Sequence, residues 1–121
     1  MGHIINQCIV VSGWDVKRVR KARKDAAAIF ATHELVDLVG KIIPHAINGG
    51  AAFLIAPDGS KEGWDHSERG KAARSDFITY LEGTPDLYLD WALIELGGDD
   101  GHYQVRRSPN DAERGQPDAR P

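Results

Sequence analysis

The sequence predicts a single α+β domain in which two helices pack on one face of a sheet. The 121 residues (13.3 kDa) suffice for one hydrophobic core and leave no room for a second. Segments with strand and with helix periodicity follow one another in the order strand, helix, strand, strand, helix, strand. That βαββαβ order is the signature of a ferredoxin-like sandwich, here with an added C-terminal strand and a disordered tail.

The first strand and the first helix occupy the N-terminal quarter of the chain. Residues 3–11 are apolar and β-branched on both faces, which is typical of a strand that is covered on at least one side. Asp15 is suited to be the N-cap of the helix that follows. Apolar residues then recur at helical spacing to about Ala31, and lysines and arginines fill the positions between them. We expect an amphipathic helix with a basic outer face.

A hairpin is predicted in the middle of the chain. Residues 38–47 are apolar and β-branched but include Pro44, which a central strand would not tolerate. We therefore expect an edge strand, or a strand interrupted at Pro44. The turn over 48–50 (NGG) joins this segment to a short buried strand over 51–56.

The second helix follows a turn over 57–60. We expect it to begin at Asp65 or Ser67, because Asp65 and Glu68 have the spacing of a capping box. It should end at the segment 83–85 (GTP). Its predicted inner stripe consists of Ala73, Phe77, Tyr80 and Leu81.

The C-terminal part of the chain contains two more strands and a polar tail. Residues 87–96 predict a strand, and residues 102–107 alternate well enough to pair back as an outer strand. We expect residues 1–107 to form the single domain. The segment 108–121 has three prolines and no aromatic or β-branched residue, and we expect it to be disordered.

Composition and charge restrict the class of protein. A net charge of -3 argues against a general nucleic-acid binder. The single cysteine, Cys8, cannot form an internal disulfide and fits a reducing compartment. No basic stretch precedes a long apolar run near residue 1, so we expect no signal peptide, and no apolar run is long enough to span a bilayer. We expect a cytoplasmic protein without a membrane partner.

The loop and helix start over 56–74 are the most distinctive segment. A strand leads into a glycine-containing loop and then into a helix N-terminus, an arrangement that can bind an anion, most plausibly a phosphate. The backbone near Gly59, with Ser60 and Lys61, would hold that phosphate, and Arg69 or Arg74 could add charge. The alternative is a structural turn and helix cap, and the carboxylates in the same segment would repel an anion.

Two tryptophans stand immediately before the predicted helices. Trp14 and Trp64 could flank one cleft and stack on a planar ligand if both loops lie at the same end of the sheet. The alternative is that each indole fastens its own helix to the sheet.

Metal and catalytic motifs are incomplete. The segment 58–69 lacks the glutamate that a calcium-binding EF-hand loop requires, and the scattered histidines give no zinc-ligand pair. We expect neither a metal nor another cofactor. His66 lies close to carboxylates in sequence and is a candidate general base, but no complete catalytic motif surrounds it. The sequence thus does not establish whether the protein is an enzyme, and it favours a binding protein.

The run PDGSKEGWD (57–65), the GWD at 13–15 and the acidic turn GDD (98–100) resemble small accessory proteins of tailed bacteriophages. Such proteins often act against host defence, and one recurrent strategy is to sequester a nucleotide second messenger in a symmetric oligomer. The resemblance thus implies a homo-oligomer that captures a small nucleotide-like anion in the host cytoplasm. One alternative is an inhibitor of a host protein that binds through the basic face of the first helix or an open sheet edge. A small nucleotide hydrolase is the other alternative.

Overall fold

The structure is a computed structural model that describes residues 6–61, 63–97 and 102–107. Val105 is the one residue of the last strand whose side chain is described. The predicted disorder of 108–121 lies outside the described residues. The strands and helices are β1 (Gln7–Gly13), α1 (Val16–Thr32), β2 (Ile43–Pro44), β3 (Ala51–Ile55), α2 (Asp65–Glu82), β4 (Asp90–Gly97) and β5 (His102–Arg107).

The strands form one antiparallel sheet in the order β2-β3-β1-β4-β5. This confirms the prediction of an α+β domain with two helices, and β1 lies at the centre. Because β1 and β3 are antiparallel, Gly13 at the end of β1 pairs with Ala51 at the start of β3. The loops that lead into α1 and into α2 therefore leave the sheet at opposite ends.

The core lies between the helices and one face of the sheet. The ring centroid of Phe77 in α2 is 6.4 Å from that of Phe30 in α1 and 6.4 Å from that of Phe53 in β3. These three rings join both helices to the sheet. The other fully buried large side chains of this layer are Ile9, Val11, Val19 and Ile55.

The first helix begins where its sequence predicts. Asp15 is the N-cap, and its Oδ1 accepts a hydrogen bond of 2.9 Å from the backbone N–H of Lys17. The second helix also begins at a predicted residue, Asp65, but its N-cap is Trp64, which has no side-chain capping bond. The predicted capping box is therefore wrong: Asp65 is already the first helical residue and cannot cap the helix from outside.

Two strands are shorter than their apolar runs. The strand predicted over 38–47 is reduced to Ile43–Pro44, because Val36–Leu38 forms a 3-10 turn and the chain then passes the sheet with a single bridge at Val39. The strand predicted over 87–96 begins only at Asp90. Its first residues are excluded from the sheet because Tyr88 adopts a left-handed conformation with φ of 52°.

A polar contact joins the two helices at their outer side. The Tyr80 hydroxyl of α2 donates a hydrogen bond of 2.7 Å to Oδ2 of Asp25 in α1, and the Lys21 ammonium donates one of 2.8 Å to the same oxygen.

Neither of the two helices combines the length and the apolar character that crossing a membrane would require, within the part of the chain that the structure describes.

Candidate functional site

The loop after β3 folds back against α2, and its Asp58 is buried there. The Asp58 side chain is 1% exposed. Its Oδ1 accepts two hydrogen bonds from Ser60, one of 3.0 Å from the backbone N–H and one of 2.9 Å from the hydroxyl. Gly59 between them has φ of +74°, a conformation that favours glycine. The turn is thus closed on itself, and the second carboxylate oxygen of Asp58 is left to face the helix.

Three residues of α2 form a buried stripe opposite this carboxylate. Ser67, Gly70 and Arg74 are three and four positions apart, so they share one face of the helix, and all three are buried. A Cβ on Gly70 would lie 2.4 Å from Asp58 Oδ2 and 3.2 Å from Arg74 Nη1. Only glycine lets the carboxylate and the guanidinium approach the helix together.

Four polar atoms of this region are buried without a hydrogen-bond partner. They are Asp58 Oδ2, Ser67 Oγ and both terminal nitrogens of Arg74, which is 3% exposed. The nearest ring nitrogen is His66 Nε2, at 3.9 Å from Asp58 Oδ2. An unpartnered buried polar group costs about 1–3 kcal/mol. We call Asp58, Ser60, His66, Ser67 and Arg74 the Asp58–Arg74 cluster.

Opposing effects act on the charge of Arg74. Burial lowers the pKa of the guanidinium, and the negative charge of Asp58 counteracts that shift. A guanidinium stays protonated in proteins at neutral pH. The cluster therefore holds one buried cation beside one buried carboxylate, and the terminal N–H groups of the cation point at no acceptor within the described residues.

The rim of the cluster is formed by Lys61 and Trp64. The Lys61 ammonium lies 5.9 Å from the centroid of the Trp64 ring, and Trp64 is 54% exposed. The N-cap residue Trp64 supplies no acceptor to the first turn of α2, and no described side chain accepts a hydrogen bond from the backbone N–H groups there. An exposed indole ring can stack on a planar group, and a cation beside it attracts negative charge. This arrangement suits a planar anionic ligand.

The structure brings some of the predicted site residues together and separates others. Ser60, His66 and Arg74 belong to the cluster, and Gly59, Lys61 and Trp64 lie in the loop around it. Arg69 is half-buried on α2, and no described hydrogen bond or ion pair joins it to the cluster. The predicted site is therefore one loop and one helix face.

The cleft predicted between Trp14 and Trp64 does not exist. Trp14 follows β1 at one end of the sheet, and Trp64 follows β3 at the other, since β1 and β3 are antiparallel. The Trp14 ring instead packs edge-on against His45, with the centroids 6.3 Å apart. The prediction was wrong because it assumed that both strand-to-helix loops lie at the same end.

Sequence reasoning missed Asp58 and Ser67. Asp58 was interpreted as a charge that repels anions and as part of an incomplete calcium-binding loop, although an aspartate two residues before a serine is typical of a turn closed by side-chain hydrogen bonds. Ser67 could have been found by extending the inner stripe of the helix backwards from Phe77. That extension passes through Arg74, Gly70 and Ser67, and polar residues on a core-facing stripe indicate a buried polar cluster.

The cluster offers hydrogen-bond donors and one acceptor to a ligand. The donors are the Arg74 terminal nitrogens and the Ser67 hydroxyl, and the acceptor is Asp58 Oδ2. No group of three or more metal-ligating side chains occurs among residues 6–61, 63–97 and 102–107.

The chain matches no model of a known protein family, no curated protein and no solved structure.

Proposed function

We propose that this protein binds a small, nucleotide-like anion at the Asp58–Arg74 cluster. The observation that carries the proposal is Arg74, a buried guanidinium with both terminal nitrogens unpartnered. A guanidinium binds phosphate oxygens through two parallel N–H···O bonds, which are about twice as strong as neutral hydrogen bonds. A phosphate is therefore the ligand that satisfies the most unpartnered atoms at once.

The acceptor in the cluster narrows the class of anion. A fully deprotonated phosphomonoester would place a dianion without any donor next to the Asp58 carboxylate. A phosphomonoester that keeps one proton carries one negative charge fewer, and its P–OH group donates to Asp58 Oδ2 while its other oxygens accept from Arg74 and Ser67. The base of such a nucleotide would stack on Trp64 at the rim. Because the four atoms are closed to solvent, binding requires the turn that contains Asp58 to open locally.

Two finer predictions from the sequence are compatible with this function without being required by it. The order β2-β3-β1-β4 of the first four strands is the order expected for a ferredoxin-like sandwich, with β5 added at the edge. The resemblance to phage accessory proteins would make the binding a sequestration of a nucleotide messenger in the host cytoplasm. We propose both as working descriptions.

The test measures binding of inorganic phosphate and of AMP by calorimetry, after native mass spectrometry of protein purified without denaturation. We expect Arg74→Gln to weaken binding by tenfold or more, since a hydrogen bond to a charged group contributes about 1.5–3 kcal/mol. Arg69→Gln is the matched control, because it removes a cation from the same helix outside the cluster. Equal losses in both variants, or no binding of either probe, would contradict the proposal.

The two alternatives from the sequence stay predictions. Arg20 and Lys24 are exposed on the outer face of α1, where an acidic host protein could bind. His66 next to Asp58 could act as a base in a hydrolase. Turnover of AMP in the same calorimetric cell that is lost in His66→Ala would favour the hydrolase.

A further inference from the structure

The sheet face opposite the helices carries apolar side chains, and neither α1 nor α2 packs on it. Residues that pair directly across neighbouring strands share a face, so the register places a patch of six apolar side chains there, beside Ala52, Leu96 and the buried Cys8. Ile43 is 68%, Leu54 43% and Val105 47% exposed. We call this surface, formed by Val10, Ile43, Leu54, Ala92, Ile94 and Val105, the open face. An apolar patch of this extent on a soluble domain marks an interaction surface.

The open face has a protrusion and a hollow on either side of β1. Val10 in β1 pairs with Leu54 in β3 on one side and with Ala92 in β4 on the other. Leu54 projects into solvent, whereas Ala92 lies at the floor of a hollow of about 280 Å³ that Val10 and Ile94 also line. The protrusion and the hollow are thus at the same height along the strands, on opposite sides of Val10.

We propose that the open face is the interface of a homodimer whose twofold axis runs along β1 at Val10. Rotation by 180° about this line exchanges the β3 side with the β4 side. It places Leu54 of each copy over the hollow at Ala92 of the other and sets the two Val10 side chains against each other. The Leu54 protrusion of each copy then fills the hollow of the other, so the same contact is made on both sides of the axis, as the self-complementary surface of a twofold dimer requires.

The charges near the open face agree with this axis. The His45 ring packs directly on Gly50, where a Cβ would lie only 2.6 Å from its Nδ1. Because Gly50 has no side chain, His45 Nε2 can lie 3.3 Å from the Ser12 hydroxyl. Asp90 pairs with Ser12 from the other side of β1. The same rotation brings Asp90 of each copy towards His45 of the other, which pairs a carboxylate with an imidazole on both sides of the axis, at the Ser12 end of the interface.

The size of the face is that of a small dimer interface. The five strands have seven, two, five, eight and six residues, and at about 3.3 Å per residue and about 4.8 Å between strands they give roughly 440 Å² per copy and about 900 Å² for the pair. That is close to the size of a small specific interface, about 1,000 Å², and typical of a weak dimer. The segment 108–121 is a poorer cover, since it has five charged residues and its only apolar side chains are those of alanine and proline.

The first measurement is the molar mass of the full chain in solution by light scattering and sedimentation. We expect a dimer of the 13.3 kDa chain. Val10→Asp should produce monomers, because the two carboxylates face each other at the axis. Ala92→Leu should weaken the dimer tenfold or more by filling the hollow. Val36→Asp is the control, because Val36 is exposed on the turn outside the sheet. Circular dichroism establishes that each variant is folded.

Cross-linking tests the direction of the axis. In a Cys8→Ser background, a short bis-maleimide should join Leu54→Cys chains to Ala92→Cys chains more than it joins either variant to itself. A monomeric wild-type chain, a dimer insensitive to both substitutions, or preferential self-linking of Leu54→Cys would overturn the proposal. The open face lies on the other side of the sheet from Arg74, so the interface is independent of anion binding and either can fail alone.

Discussion

Arg74 lies on the sheet-facing side of α2, where a long charged side chain must be accommodated in the core layer. Burial would be unfavourable for an isolated guanidinium, and Asp58 offsets part of that cost. The two charged groups approach the same part of the helix only because Gly70 has no side chain. The sequence made Arg74 a candidate for its charge alone, whereas its burial and its proximity to Asp58 depend on how the loop folds over the helix.

Removal of Arg74 alone should destabilise the protein strongly. In Arg74→Leu the Asp58 carboxylate stays buried without its cation, which costs about 3–5 kcal/mol. Adding Asp58→Asn removes that charge, so the double variant should recover much of the loss. Urea unfolding followed by tryptophan fluorescence measures both. Arg69→Leu serves as the control, and a double variant no more stable than Arg74→Leu would show that the charges do not interact.

At the scale of elements, α1 and α2 are joined through Asp25. Burial alone would raise the pKa of Asp25, but the hydrogen bonds from Lys21 and Tyr80 outweigh it, and the pKa lies below its usual value. Burial and the Asp25 charge raise the pKa of Tyr80. A carboxyl group with a lowered pKa stabilises the fold above its unfolded pKa of about 4, and this contribution is lost as the pH falls through its folded pKa.

Tyr80→Phe should weaken this contact between the helices. We expect a loss of about 1 kcal/mol in the free energy of unfolding at about pH 7, the usual contribution of one hydrogen bond. The loss should shrink as the pH falls from the unfolded pKa of about 4 through the lower folded pKa of Asp25, below which the carboxyl group is protonated in both states. A series of urea unfolding curves over this pH range measures it, and Tyr88→Phe, which changes an exposed tyrosine, is the control. A loss that does not depend on pH would point to packing instead.

At the scale of the whole molecule, strand direction decides which loops can cooperate. The antiparallel pairing of β1 with β3 carries Trp14 and Trp64 to opposite ends of the sheet. Trp64 stays beside the Asp58–Arg74 cluster, and Trp14 packs against His45 near the edge of the open face. The two indoles therefore belong to two different surfaces, and a single ligand cannot contact both.

Single substitutions of the two tryptophans should separate these surfaces. Trp64→Ala should weaken AMP binding by about 1–3 kcal/mol, the contribution of one stacked base. Trp14→Ala should leave the affinity unchanged, because Trp14 lies at the far end of the sheet. Calorimetry with AMP measures the affinity of both variants. Inorganic phosphate has no base, so both variants should bind it with the affinity of the wild type. Equal effects of the two substitutions on AMP would argue against this separation.

Features of this protein that depend on local interactions could be predicted from its sequence. The Asp15 cap, the course of both helices and the hairpin turn were predictable because periodicity, capping and turn preferences act over a few residues. The order of elements was sufficient for the α+β class. Of the candidate site, the sequence identified the loop with Ser60, Lys61 and Trp64 and the helix that carries Arg74.

Features that depend on contacts between residues distant in the chain could be seen in the tertiary structure alone. The reduction of 38–47 to Ile43–Pro44 and the separation of the tryptophans follow from how the strands pair. The burial of Arg74 against Asp58 and the exposure of the sheet's second face follow from where the helices lie. These outcomes are set by packing between segments many residues apart, and periodicity within one segment carries no information about its partner.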